Sequence, residues 1–162
     1  MKVTADLTAQ ILAYKEFSDF NMNISIDWAL DMLSLGYETP SLLILAGLSK
    51  PTNFFEAENY LVSALKELNL QIPEHDEAIY QYCKYFINKI SKSENVKINL
   101  YQLYRLAQKR SDDKRIFDFY LLYWAWNDLD YDPTHQHYWD GANINNIESI
   151  VIDVAKKWVE MN

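Results

Sequence analysis

The sequence is poor in several residue types at once. Its 162 residues include one cysteine, three glycines and four prolines, and one stretch of 38 residues, 116–153, holds no lysine or arginine. A lone cysteine, Cys83, excludes an intrachain disulfide and fits a reducing compartment, so a cytoplasmic location is expected. Gly36, Gly47 and Gly141 are too scattered to build a Walker loop or a dinucleotide-binding turn, and no Gly-x-Ser-x-Gly elbow occurs. There is no His-Glu-x-x-His helix and no Cys-x-x-Cys pair. The longest near-apolar run, Ile116 to Leu129, is broken by Asp118, Asn127 and Asp128. It falls short of the about 20 residues of a membrane span. The start, Met1 to Asp6, places an acid early and has no apolar run. Neither a membrane anchor nor a signal peptide is expected, and the protein is expected to be soluble. No catalytic residue, metal or cofactor is assigned.

What is present is apolar and helical in spacing. With 49% hydrophobic residues and this length, residues 1–162 are expected to form one self-sufficient domain. Thr4 is placed to cap a first helix carrying Leu7, Ile11, Leu12 and Tyr14. A second helix starts near Ser25, with Ile26, Ala29, Leu30 and Leu33 on one face, widened by Trp28 and Met32, and ends at a left-handed Gly36. Thr39-Pro40 restarts a helix over 41–48 that is apolar nearly all round and is therefore expected to be buried on most sides. Asn53 and Glu56 have capping-box spacing ahead of Phe54, Ala57, Leu61, Ala64, Leu65 and Leu68. Pro73 opens the next helix, whose core face is Ile79, Tyr82, Cys83, Phe86 and Ile90. Residues 91–95 are the best linker, and a helix with Leu100, Leu103, Tyr104 and Ala107 follows. Ser111-Asp112-Asp113 can cap a helix over 113–129, hydrophobic enough to be central. The last helix starts near Asn143 and turns Ile144, Ile147, Val151, Val154 and Trp158 inward. No stretch alternates with period two, so the fold class is all-α, an irregular set of about eight helices.

The net charge of −8 is uneven. Residues 1–82 carry −8, residues 83–115 carry +6, residues 116–153 carry −7 and the last nine carry +1. The third segment also holds nine of the 24 aromatic residues. Within it, Asp128, Asp130, Tyr131, Asp132, Tyr138, Trp139 and Asp140 combine carboxylates with large rings in and beside a polar loop. Rings anchor protein interfaces and rim carboxylates steer a basic partner. Asp27, Asp31 and Glu38 form a second acidic stripe. The plain alternatives are a core helix for the aromatic residues of 117–126 and simple solvation for the acids.

Three other arrangements invite chemistry. His135 and His137, with three aspartates nearby, suggest a metal, but the spacing matches no specific site, and a wet loop or interface is the expectation. His75 and Cys83 are eight residues apart, about 12 Å along one helix, too far for a thiol–imidazole pair. Cys83 is read as a small buried hydrophobe. Basic residues with Tyr85, Tyr101 and Tyr104 could stack on nucleic acid. However, Arg105 with Lys109 and Lys89 with Lys92 read as solvated helix faces, and the chain is acidic, so no nucleic-acid partner is expected. An internal contact between the basic segment and 116–153 is the other use open to these charges.

The runs Trp28-Ala29-Leu30-Asp31-Met32-Leu33, Leu35-Gly36-Tyr37-Glu38 and Ser41-Leu42-Leu43-Ile44-Leu45-Ala46-Gly47-Leu48 resemble small all-helical bacterial proteins encoded in polymorphic and contact-dependent toxin loci. Phe55-Glu56-Ala57 and Leu65-Lys66-Glu67-Leu68 continue the likeness, which covers roughly 25–70. Tyr123, Asp128-Leu129, Tyr138, Gly141 and Ile147 are similar to the same family's C-terminal part. The resemblance implies an immunity protein that binds and blocks a basic toxin domain, with no catalytic residues to carry over. A helical adaptor, or an enzyme using the His135/His137 loop, are the competing readings.

Overall fold

The computed structural model describes residues 3–109 and 113–162. Among them are eight α-helices, one short 3-10 turn and no strand, as the spacing predicts. None of these helices is long and apolar enough to cross a membrane. The chain divides into two compact units, Met1–Tyr82 and Cys83–Asn162, and the division falls inside a helix rather than at residues 91–95.

The first unit holds α1 (Thr8–Leu12), α2 (Asn23–Ser34), α3 (Pro40–Ala46), α4 (Phe54–Glu67) and the start of α5 (His75–Ser91). Three local signals set its boundaries. Gly36 has φ +91°, and the N–H groups of Gly36 and Tyr37 donate to the carbonyls of Leu33 and Met32, closing α2 in a Schellman motif. Thr39 accepts from the Leu42 N–H with Pro40 at the first helical position. The Asn53 side chain accepts from the N–H groups of both Phe55 and Glu56.

Trp28, Tyr14, Ile11, Met32, Leu42, Leu45, Leu61 and Leu65 form the interior of this unit. The Trp28 indole N–H donates to the Thr8 hydroxyl at 3.0 Å, so both buried polar groups are satisfied.

Several expectations are corrected. Thr4 does not cap α1: the regular helix starts only at Thr8, so Leu7 occupies the cap position, without a side-chain bond. Leu30 is exposed, since the buried stripe of α2 runs through Ser25, Trp28, Ala29 and Met32, which places residue 30 off its edge. Helix α3 is not buried on most sides. It packs on α2 and α4 through Ser41, Leu42 and Leu45, and leaves Leu43 and Ile44 about half exposed. Seven residues make about two turns and can offer only one face to two neighbours.

At the start of α3, the Ser41 N–H and hydroxyl donate to the Glu67 carboxylate at 3.1 and 2.8 Å, which ties it to the end of α4. Hydrogen bonds from the Thr39 hydroxyl and from Ser41 hold the Glu67 carboxyl below its ordinary value. A depressed carboxylate contributes its stability above the ordinary glutamate value of 4.5 and loses it as pH falls through the lowered one. Glu67→Gln is therefore expected to lower the melting temperature at pH 7, with the gap to wild type closing towards pH 3. An equal gap at both pH values would refute this role.

The second unit holds the rest of α5, then α6 (Val96–Lys109), α7 (Phe117–Tyr131) and α8 (Ile147–Met161). Ser93 and Asn95 take positive φ in the turn before α6. Leu100, Leu103, Phe119, Leu122, Ala125, Ile147, Val151 and Ala155 are buried where α6, α7 and α8 pack on one another. The Trp158 indole N–H donates to the Arg115 carbonyl at 2.8 Å.

Cys83 is fully buried, and burial pushes its thiol up to about 12. A buried thiol held in its neutral form is a poor nucleophile. Thiol reagents are expected to leave the folded protein unmodified and to label it in denaturant. Fast labelling of the native chain would contradict this placement.

Helix α7 is not the all-round buried element its composition suggests. Only Phe119, Leu122, Ala125, Trp126 and Leu129 are buried. The rings of Tyr120, Tyr123 and Trp124 are half-buried and Phe117 is exposed. Tyr and Trp can pack a ring while keeping a polar tip wet, so an aromatic-rich helix does not need full burial. Ile144 is also exposed and lies outside the last helix. The Asn143 carbonyl accepts from the Ile147 N–H, so the helical turn does begin at Asn143, one turn before the regular helix. The capping expected of Ser111-Asp112, and the charge of Arg110, fall outside the described residues; Asp113 accepts from the Arg115 N–H and guanidinium instead.

Candidate functional site

The most distinctive surface is an aromatic layer on the second unit. Tyr101 and Tyr104 lie one turn apart on α6, and Phe117, Tyr120, Tyr123 and Trp124 line one side of α7. Because α6 and α7 pack together, the two sets meet. Tyr104 and Tyr123 stack with centroids 3.9 Å apart and planes at 14°. Tyr101 flanks Tyr123 at 5.9 Å, Tyr120 flanks Tyr104 at 5.6 Å, and Trp124 meets Tyr104 edge-on at 5.4 Å. Phe117 stacks on Tyr120 at 5.8 Å, and Tyr138 extends the layer from the loop by stacking on Trp124 at 6.3 Å.

Seven rings thus form one continuous layer. Tyr101, Phe117 and Tyr138 are each more than 40% exposed, which a core layer would not tolerate. Burial, then the neighbouring phenols of Tyr104 and Tyr101, push the Tyr123 hydroxyl up, partly opposed by Lys97. Gln108 donates to the Tyr104 hydroxyl at 2.7 Å.

The loop beside the layer is ordered by its own polar side chains. Asp132 accepts from the Thr134 hydroxyl at 2.7 Å and from the Thr134 N–H at 3.0 Å, and these bonds hold its carboxyl below the ordinary value. Gln136 is the hub. Its carbonyl accepts from the N–H groups of Tyr138 and Trp139, and its amide donates to the carbonyls of Trp139 and Ala142. Asn143 and Asn146 close the far end, with the Asn146 amide donating to the Gly141 carbonyl at 2.9 Å. Tyr138 and Trp139 are therefore presented by a built loop, an arrangement that lowers the entropy cost of binding.

The expected site residues separate into distinct situations. Asp128, Asp130, Tyr131, Asp132, Tyr138, Trp139 and Asp140 belong to the second unit; Asp27, Asp31 and Glu38 belong to the first. Tyr131 is 94% exposed, Asp140 is exposed and Asp128 is half-buried. Asp130 is ion-paired with Lys97, and Asp132 is used inside the loop. Asp27 is ion-paired with Lys50, whereas Asp31 and Glu38 face solvent.

The Lys97–Asp130 pair is the internal basic–acidic contact that the segment charges allow. It belongs to a wider balance. The second unit has eleven basic and eleven acidic residues, so the first unit, with four basic and twelve acidic, carries the whole net charge. The acidic stretch 116–153 thus shares a unit with the basic stretch 83–115, which offsets its net charge, and Lys97–Asp130 is a direct pair between the two.

Other candidate chemistry is quiet. The His135 and His137 rings meet edge to face at 4.3 Å, but among the described residues no three of His, Cys, Asp and Glu come close enough to hold a metal ion. The His75 Nδ1 lies against the Glu16 carboxylate.

Gln136 is not singled out by the sequence, which places Tyr104 with the apolar residues of α6 and gives Tyr101 no role beyond a candidate stack on nucleic acid. The signal for the aromatic layer was present. Tyr at 101 and 104, and aromatic residues at 117, 120, 123 and 124, recur every three or four positions. Nothing local shows that the two stripes face each other.

No protein-family model, curated protein or solved structure matches the chain.

Proposed function

We propose that this chain is an immunity-type protein that acts in the cytoplasm by binding and blocking a basic toxin domain, without catalysis or cofactor. The toxin class that fits best is a nuclease, because a nuclease must carry positive charge to hold its substrate. The observation that carries the reading is the seven-ring layer on α6, α7 and the following loop, with Tyr131 exposed at the end of α7 and Asp140 exposed in that loop. Tyr and Trp are the residues that dominate interface energetics, and a half-exposed layer of them is expensive to keep in water without a partner. The loop's internal hydrogen bonds fit the same use, since they hold Tyr138 and Trp139 in place before binding.

Charge has the secondary role of steering. The chain as a whole carries −8 and attracts a basic partner over distance, while Asp128 and Asp140 act close to the layer. Reversing both, as Asp128→Lys with Asp140→Lys, is expected to slow association about tenfold at low salt and to flatten its salt dependence. Stopped-flow mixing with the partner measures both effects, and an unchanged rate would remove these carboxylates from the surface.

The function itself is tested by co-expressing the chain with the proteins that neighbouring genes encode, beginning with any that is toxic when expressed alone. Rescue of growth together with co-purification of the pair is expected. Failure of both would refute the reading, and co-purification with a partner that has no toxic activity would favour the adaptor.

A further inference from the structure

One point at the edge of the aromatic layer is already filled by the chain's own cation. Lys97 Nζ lies 5.5 Å from the centroid of the Trp126 ring and is ion-paired with Asp130, which sits one turn beyond Trp126 on α7. The indole underneath is buried, with 9% of its surface left, whereas the side chains of Lys97 and Asp130 remain 59% and 40% exposed. A ring face and a carboxylate therefore grip an ammonium group that water still reaches. Tyr101 follows Lys97 by one turn on α6 and Tyr123 precedes Trp126 by one turn on α7, so this clamp is continuous with the layer.

We infer that the Trp126–Asp130 clamp is the docking point for an arginine of the protein partner, and that Lys97 holds it closed in the free chain. This rests on the partner-binding reading of the same face and adds the chemistry of one contact to it. The internal lysine shows which ligand the clamp accepts. Arginine is the better occupant, because a planar guanidinium stacks on an indole and forks onto a carboxylate, while a lysine does neither and is more strongly hydrated. The exchange conserves charge: one cation leaves for water as another arrives. It favours a partner rich in arginine over one rich in lysine.

The test uses the full chain and nona-arginine as probe, with nona-lysine for comparison. Binding is followed by the indole N–H signals in two-dimensional NMR. The expected shift is at Trp126. Lys97→Met opens the clamp and is expected to bind nona-arginine about fivefold more tightly than wild type, the size of one exposed cation–π contact plus one surface ion pair. Lys92→Met removes an equal charge elsewhere and controls for simple electrostatics. Adding Asp130→Asn to Lys97→Met is expected to reverse the gain. Lys97→Gln serves as a second opening variant should Lys97→Met lower the melting temperature.

The inference is overturned if Lys97→Met binds no more tightly than Lys92→Met, if nona-lysine binds as well as nona-arginine, or if Trp126 does not move. These outcomes do not depend on any toxin. Failure of toxin capture would sink the immunity reading and leave the clamp standing, and the converse holds equally.

Discussion

Replacing Trp28 with alanine is expected to cost about 3–5 kcal/mol of stability, the range for deleting a large buried aromatic ring. Trp28 is completely buried among Ile11, Tyr14, Met32, Leu42 and Leu61. Three helices and the segment before α2 close around it, so the site cannot collapse without moving several elements. Its loss also leaves the Thr8 hydroxyl without the indole that donates to it. Trp28→Phe keeps most of the apolar volume and isolates that hydrogen bond, so it is expected to cost less than half as much. Urea denaturation followed by circular dichroism measures both. A loss below about 1 kcal/mol for the alanine variant would show that Trp28 does not organise this core.

The second large effect concerns the aromatic layer. Tyr123→Ala and Tyr104→Ala are each expected to weaken partner binding by about 2 kcal/mol, roughly 30-fold, as central interface tyrosines do. The two rings stack at 3.9 Å, so either deletion strips the packing from the other. The double variant is therefore expected to lose much less than the sum, a coupling that a double-mutant cycle reads directly. Tyr123→Phe keeps the ring and is expected to stay within about threefold of wild type, because burial of the ring rather than its hydroxyl supplies most of the energy. Calorimetric titration with the partner checks all four. Alanine variants that bind like wild type would remove the layer from the interface.

How much of this was legible in the sequence follows from the range of each interaction. The Gly36 stop, the Thr39-Pro40 start and the Asn53 cap are set by residues within four positions of one another, and each appears as expected. The core face of α5 follows from period alone, as do Ala57, Leu61, Ala64 and Leu65 of α4 and Leu100, Leu103 and Ala107 of α6, whereas Phe54 is exposed and Tyr104 only half-buried. Expectations failed where composition was asked to predict neighbours. Leu43 and Ile44 are as apolar as Leu42 and Leu45, and only the positions of α2 and α4 decide which pair is covered. Helix α7 reads as central because tyrosine and tryptophan count as hydrophobic, although they tolerate partial exposure.

The site divides in the same way. A concentration of rings and carboxylates after residue 116 was visible. Its real composition was not, because Tyr104 meets Tyr123 from another helix and Lys97 meets Asp130 across 33 residues of chain. Segment sums suggested two acidic surfaces, yet the unit boundary at Tyr82 leaves one acidic unit and one balanced unit that carries the aromatic face.

The central claim is that the partner is held by the aromatic face of the second unit rather than by the acidic first unit. Hydrogen–deuterium exchange of the chain with and without a protein partner that it co-purifies with tests this most directly. The account predicts new protection in residues 97–108, 117–131 and 132–146, with little change in residues 3–70. Protection centred on Asp31, Glu38 and the exposed ends of α3 and α4, with 97–146 unchanged, would contradict it.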